Sequence, residues 1–165
     1  MLRRSLLTSA IAASLLTTFS LPAFATQVYE TDLVIIGGGL SGLAAAQSAV
    51  DQGAKPIVLE KEAALGGGGN FPEGSLGVGT RYQKEHNINT TVDQVLTAAL
   101  QYHHYRADPH VLRVLIEESG KTIDWVMDKG AQMRGIRTMY PKDESLMTWH
   151  LFKGGAAGII QRFAK

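Results

Sequence analysis

The 165-residue sequence contains no cysteine, which excludes disulfides, thiolate metal sites and any cofactor held through a cysteinyl thioether within it. Its charge is nearly balanced, with 16 Lys and Arg against 15 Asp and Glu, so the formal net charge of +1 gives no sign of a nucleic-acid partner. Charged residues make up only 19% and hydrophobic residues 45%, the balance of a globular protein long enough for one domain with its own core. His103, His104 and His110 cluster, but none has zinc-site spacing with a third partner, and adjacent side chains on a helix diverge by about 100°. No metal site is expected.

The first 25 residues stand apart from the rest. Met1-Leu2-Arg3-Arg4 is a basic head, Ser5 to Leu21 is apolar with interrupting serines and threonines, and Ala23-Phe24-Ala25 after Pro22 has the small-x-small form of a cleavage site. Residues 1–25 are therefore expected to be a signal peptide and the mature protein to run over 26–165, exported to the periplasm or another extracytoplasmic space. An uncleaved anchor is the alternative; after cleavage no stable membrane insertion is expected. Arg3-Arg4 before Ser5-Leu6-Leu7 also resembles a twin-arginine signal, so either the general or the twin-arginine route is open.

The chain is organised around Leu33 to Glu60. Leu33-Val34-Ile35-Ile36 is a short apolar run, largely β-branched and stopped by glycine, which suits a strand buried on both faces of a parallel sheet. Gly37-Gly38-Gly39-Leu40-Ser41-Gly42 follows and fits G-x-G-x-x-G. Gly37 permits the tight turn, Gly39 lets backbone N–H groups approach a pyrophosphate, and Gly42 lets the helix pack close to the strand. The helix that starts here points its free N–H groups and dipole at the phosphates, and Leu40 and Ser41 of the turn are counted with its glycines as cofactor-binding candidates. Leu43 to Gln52 is alanine-rich and helical, Gly53 is placed as a left-handed cap, and Pro56-Ile57-Val58-Leu59 is the second strand. Glu60 then sits where a carboxylate accepts the hydroxyls of an adenosine ribose, which disfavours a 2′-phosphate. These features are shared by NAD and FAD sites.

Lys61 to Thr80 is glycine-rich and shows neither helical nor strand period, as expected of a long functional loop beside a cofactor. Glu60-Lys61, a spacer, then Gly68-Gly69-Asn70 resembles the FAD-binding domain of the fumarate reductase/succinate dehydrogenase flavoprotein family, particularly its exported soluble branch that includes flavocytochrome c and urocanate reductase. The residue after the asparagine is usually serine or threonine in that family and is Phe71 here. The resemblance covers roughly Asp32 to Lys165 and favours FAD over NAD. It implies an α/β, Rossmann-like FAD-binding domain with a parallel sheet, incomplete and followed by helical segments, with Lys61, Gly68, Gly69 and Asn70 joining the turn in holding the cofactor.

Thr91 caps a helix with Gln94 three residues on, and Val92, Val95, Leu96, Ala99 and Leu100 share one face. Asp108-Pro109 opens another helix, whose stripe of Val111, Leu112, Leu115, Ile116, Ile123, Val126 and Met127 runs to Gly130; Gly120 divides it into one helix or two. Trp149 to Gly158 reads as a polar then glycine-rich turn opening a helix near Ile159, and it resembles the family segment in which a histidine and a Gly-Gly pair precede a helix near the flavin. His150 and Gly155 are the candidates there; a solvated loop histidine is the other reading of His150.

The resemblance implies an FAD-dependent oxidoreductase that passes hydride between flavin and a C=C or CH–CH bond of a small carboxylate or enoate-like substrate, with an electron-donor protein as a further partner. Its catalytic residues lie beyond Lys165 in the family, so none is assigned here, and the sequence is expected to be an amino-terminal portion. Two other readings stand beside it: a non-catalytic exported nucleotide-binding remnant, and an NAD-linked domain, against which the Gly66 to Asn70 loop speaks. A half Rossmann unit would leave a sheet edge unpaired, so such a piece by itself tends to associate.

Overall fold

A computed structural model describes residues 27–139 and 146–164. The signal peptide expected over residues 1–25 lies outside the described residues. The folded unit runs from Thr31. It begins with β1 (Leu33–Ile36), α1 (Leu40–Asp51) and β2 (Pro56–Leu59). The two strands pair in parallel, with Leu33 opposite Pro56 and Ile36 opposite Leu59. A right-handed crossover is the ordinary way for a helix to join two such neighbours. Gly53 ends α1 at φ +82°, a left-handed conformation that glycine adopts without a Cβ penalty.

The expectation that β1 is buried on both faces is corrected. Val34 is 52% and Ile36 88% exposed. Register places Val34 beside Ile57 and Ile36 beside Leu59 on one face. Ile35 lies on the other, toward α1, where its Cγ2 is 3.4 Å from a Cβ built on Gly42. Only the α1 face is covered among the described residues.

The stretch from Lys61 to Thr80 is more regular than its sequence suggests. A 3-10 turn spans Gly67–Asn70 and β3 spans Gly74–Leu76. Thr80 then caps α2 (Arg81–Glu85) through a reciprocal capping box with Gln83. The same device, Thr91 with Gln94, opens α3 (Val92–Tyr102), which buries Val95, Leu96 and Ala99 as its periodicity predicts.

Asp108 accepts from the N–H groups of His110 and Val111 and opens α4 (Pro109–Asp128), a single helix of 20 residues. Gly120 does not break it: a Cβ there would stand 2.1 Å from the Val78 carbonyl oxygen, so glycine lets the helix cross that backbone. The expected apolar stripe is buried only in part, since Val111 and Leu115 are exposed while Ile116 and Ile123 are buried.

The last elements are β4 (Met133–Thr138), β5 (Met147–Phe152) and α5 (Gly155–Phe163). β5 is the centre of an antiparallel sheet in the order β3-β5-β4. The turn read from Trp149 onward is thus a strand, and its helix starts at Gly155 rather than near Ile159. Two apolar clusters hold the unit together. One joins Val78, Val95, Leu96, Ile116 and Leu146; the other joins Leu43 of α1 to Ile123, Phe152, Ile159, Ile160 and Phe163.

Candidate cofactor site

The carboxyl ends of β1 and β2 carry the glycine turn and Glu60, and the glycine-rich segment from Leu65 returns to meet them. Gly37 has φ +103° and nothing within 4 Å of a Cβ position, so it turns the chain in open space. A Cβ at Gly42 would stand 2.0 Å from the Gly37 carbonyl oxygen, so the helix can close onto the turn only with glycine there. α1 starts at Leu40, inside the motif, so the N–H groups of Leu40, Ser41 and Gly42 belong to its first turn, where helices lack intrahelical partners. Gly39 is the N-cap.

Glu60 is held by two backbone donors. Gly38 N–H donates to Oε2 at 2.6 Å and Glu62 N–H to Oε1 at 2.9 Å. These bonds, that from Glu62 first and that from Gly38 second, keep its pKa below the usual glutamate value, so it stands as a carboxylate at neutral pH. Gly38 has no room for a side chain, because a Cβ would meet Leu65 Cδ2 at 2.4 Å. Lys61 is exposed and pairs with Glu62 at 3.5 Å.

Gly66 N–H donates to Gly38 O at 2.8 Å, and Gly39 and Gly66 form a parallel bridge. Gly66 itself has φ +109°, and a Cβ on it would lie 2.4 Å from the Asn70 carboxamide. That carboxamide donates to Leu65 O at 3.1 Å and Gly67 O at 3.3 Å, so its NH2 group closes the loop and its Oδ1 is left as an acceptor. Gly69 packs on α1, with a Cβ position 2.9 Å from Leu40 Cβ and 3.4 Å from Ile160 Cδ1. Gly68 has open space around it. Gly155, at φ +60°, backs onto the segment that follows Asn70, 3.0 Å from Pro72 O by the same measure. The turn, the acid, the Gly66–Asn70 loop and the start of α5 therefore converge.

His150 does not join them. It is fully buried in β5, with Nδ1 3.0 Å from Thr148 O and Nε2 2.9 Å from Thr80 Oγ1. Neither the cofactor-side nor the solvated-loop reading of this residue holds; burial lowers its pKa and it packs as a neutral core histidine. His103, His104 and His110 are exposed, and among the described residues no three His, Asp or Glu side chains converge on a metal position.

Residues 32–157 match the family model for the FAD binding domain. The chain belongs to that family. Its dinucleotide is accordingly FAD, and the glycine turn with its clamped acid and second glycine loop fits that group. The chain is 35% identical over 129 residues to the vinyl phenol reductase of Lactiplantibacillus plantarum, covering 78% of this chain and 26% of that one. It is 31% identical over 119 residues to the cytochrome-type fumarate reductase of Shewanella frigidimarina, covering 71% and 21%. In fold it resembles the open conformation of a flavocytochrome c3 fumarate reductase, with a TM-score of 0.66 at 20% identity, over 97% of this chain and 27% of that one. The chain thus spans about a quarter of the length of the proteins it matches.

Sequence reasoning missed one member of this convergence: Gly38 is the variable position of the motif, yet its N–H positions the acid.

Proposed function

We propose that this chain is the amino-terminal part of an exported FAD-dependent oxidoreductase acting on the C=C or CH–CH bond of a small carboxylate or enoate-like substrate. The observation that carries it is the meeting of the two glycine segments at Gly39 and Gly66 beside a clamped Glu60, within an FAD binding domain. The two named relatives reduce fumarate and vinyl phenol, and both of those compounds contain a C=C bond.

In this reading Gly37, Gly39, Leu40, Ser41 and Gly42 hold the pyrophosphate, Glu60 holds the adenosine ribose with Lys61 beside it, and Gly68, Gly69, Asn70 and Gly155 border the flavin half. Bound FAD supplies hydride chemistry. The residues of this chain bind and orient it, and the groups that handle substrate and proton belong to the remaining three-quarters of a protein of the relatives' length. No catalytic residue is assigned within the chain, and an electron-donor protein completes the cycle. Export rests on the basic head, the apolar run and the Ala23-Phe24-Ala25 site. Among the described residues no helix is long and apolar enough to cross a membrane.

Native mass spectrometry of the protein from its own cells tests this in one spectrum. The expected species begins at Thr26, is several times heavier than residues 26–165, and carries one FAD. A chain ending at Lys165 without flavin would sink the enzyme reading and favour a non-catalytic remnant.

A further inference from the structure

The variable position of the turn is glycine for want of space, not for conformation. Gly38 lies outside the left-handed region, so its backbone would accept any residue, and G-x-G-x-x-G asks nothing of that position. What excludes a side chain is Leu65, whose Cδ2 already fills the place of a Cβ. Glu60 borders the same place less tightly, with Oε2 at 3.2 Å and Cβ at 3.3 Å from it. A methyl group from the second glycine loop thus stands where the first turn would carry its own side chain, against the Gly38–Glu60 bond.

Leu65 is anchored by its side chain and by its backbone. The side chain packs, partly buried, on the apolar cluster of Leu43, Ile159 and Ile160. Its carbonyl accepts from Asn70 Nδ2 at 3.1 Å, and the following Gly66 N–H donates to Gly38 O at 2.8 Å. Those bonds hold the loop's backbone, so trimming the isobutyl group leaves the loop in place. A charge-assisted hydrogen bond covered by apolar atoms is stronger than the same bond in water.

We infer that Leu65 is a positioning residue for Glu60, supplying from the second loop the apolar cover that the turn lacks and so holding the carboxylate toward the ribose of FAD, an inference that rests on the cofactor reading above. Without that cover, water competes for the Gly38 N–H and the acid swings free of the turn.

The test titrates flavin-free full-length protein with FAD, as wild type, Leu65→Ala, Leu65→Met, Glu60→Ala and the Leu65→Ala/Glu60→Ala pair. Leu65→Ala is expected to weaken FAD binding about tenfold, and Leu65→Met, which keeps the volume, to stay within about threefold of wild type. In the Glu60→Ala background the same truncation costs less than about threefold, because the group it acts through is gone. Leu65→Val carries the comparison where the alanine variant does not fold. A second pair reads the shared space: Gly38→Ala alone weakens binding, and adding Leu65→Ala recovers part of the loss, since the new methyl takes the vacated place. Wild-type affinity in Leu65→Ala, or an equal loss from Leu65→Ala with and without Glu60, overturns the inference, as does a Gly38→Ala defect that Leu65→Ala deepens. Wild type that binds no FAD overturns the cofactor reading and the inference with it.

Discussion

Acidification should loosen the β3-β5-β4 sheet through His150. The Thr148 carbonyl can only accept, so Nδ1 carries the proton and Nε2 accepts from the Thr80 hydroxyl, which in turn accepts from Gln83 N–H at 3.0 Å. Adding a proton at Nε2 turns that acceptor into a donor. The Thr80 hydroxyl must then redirect to Gln83 Oε1 at 3.4 Å, a poor bond. The new charge would also lie in a site where the imidazole is fully buried and Gly77 leaves it no slack, a Cβ there being 2.7 Å from Cε1. Asp124 favours the cation, but its carboxylate is engaged by Arg81, and desolvation outweighs it. The folded pKa is thus below 6.5. The unfolded chain binds a proton in the window between that lowered value and about 6.5 while the folded chain does not, so stability is intact above the window and falls as pH drops through it. One such histidine costs at most about 1.4 kcal/mol between pH 7.5 and 5.5. Urea unfolding followed by tryptophan fluorescence, to which Trp149 on β5 contributes, reads this difference against His150→Gln, which cannot titrate. Equal pH dependence in the two proteins, or a wild type that gains stability at pH 5.5, refutes the reasoning.

Two further outcomes follow from the geometry. Gly42→Ala places a Cβ 2.0 Å from the Gly37 carbonyl, so the turn must open; loss of FAD binding with a destabilisation of roughly 1–3 kcal/mol is expected by titration and denaturation. In a chain of these 165 residues alone, Val34→Lys on the bare sheet face should reduce concentration-dependent association in sedimentation, and unchanged association would place the sticky surface elsewhere.

Local signals were read to the residue, and signals that depend on distant partners were not. β1 and β2 follow from apolar runs closed by Gly37 and Glu60, and the Thr91/Gln94 box and Asp108-Pro109 set the starts of α3 and α4. α1 begins three residues earlier than its alanine-rich run, because Leu40, Ser41 and Gly42 take helical conformation within the turn motif. Gly120 reads as a helix breaker by propensity alone, and only the Val78 carbonyl explains it. The antiparallel sheet stayed hidden because β3 has three residues inside a glycine-rich run, β4 carries register shifts, and β5 points Thr148 and His150 inward, inverting the usual polar-out pattern. In the site, the contiguous motif and Glu60 were legible from spacing. The clamp from Gly38, 22 residues before Glu60, and the closure of the loop by Asn70 exist only once the chain has folded back.

Cofactor binding and the bare sheet face are coupled by energetics even though they share no side chain. The cradle uses backbone at the ends of β1 and β2, whereas Val34, Ile36, Ile57 and Leu59 project from the same strands to the uncovered side. A two-stranded sheet covered on one face only is marginal. Covering one such aliphatic side chain contributes at most about 1.5–3 kcal/mol. A ligand at one hundred times its Kd stabilises the folded state by about 2.7 kcal/mol. The two effects are of equal size and act on the same strands, so whatever packs on Val34 and Ile36 raises the population of formed cradle, and FAD in the cradle holds together the surface to be covered. Apolar residues on both faces of β1 therefore serve the site as directly as its glycines do.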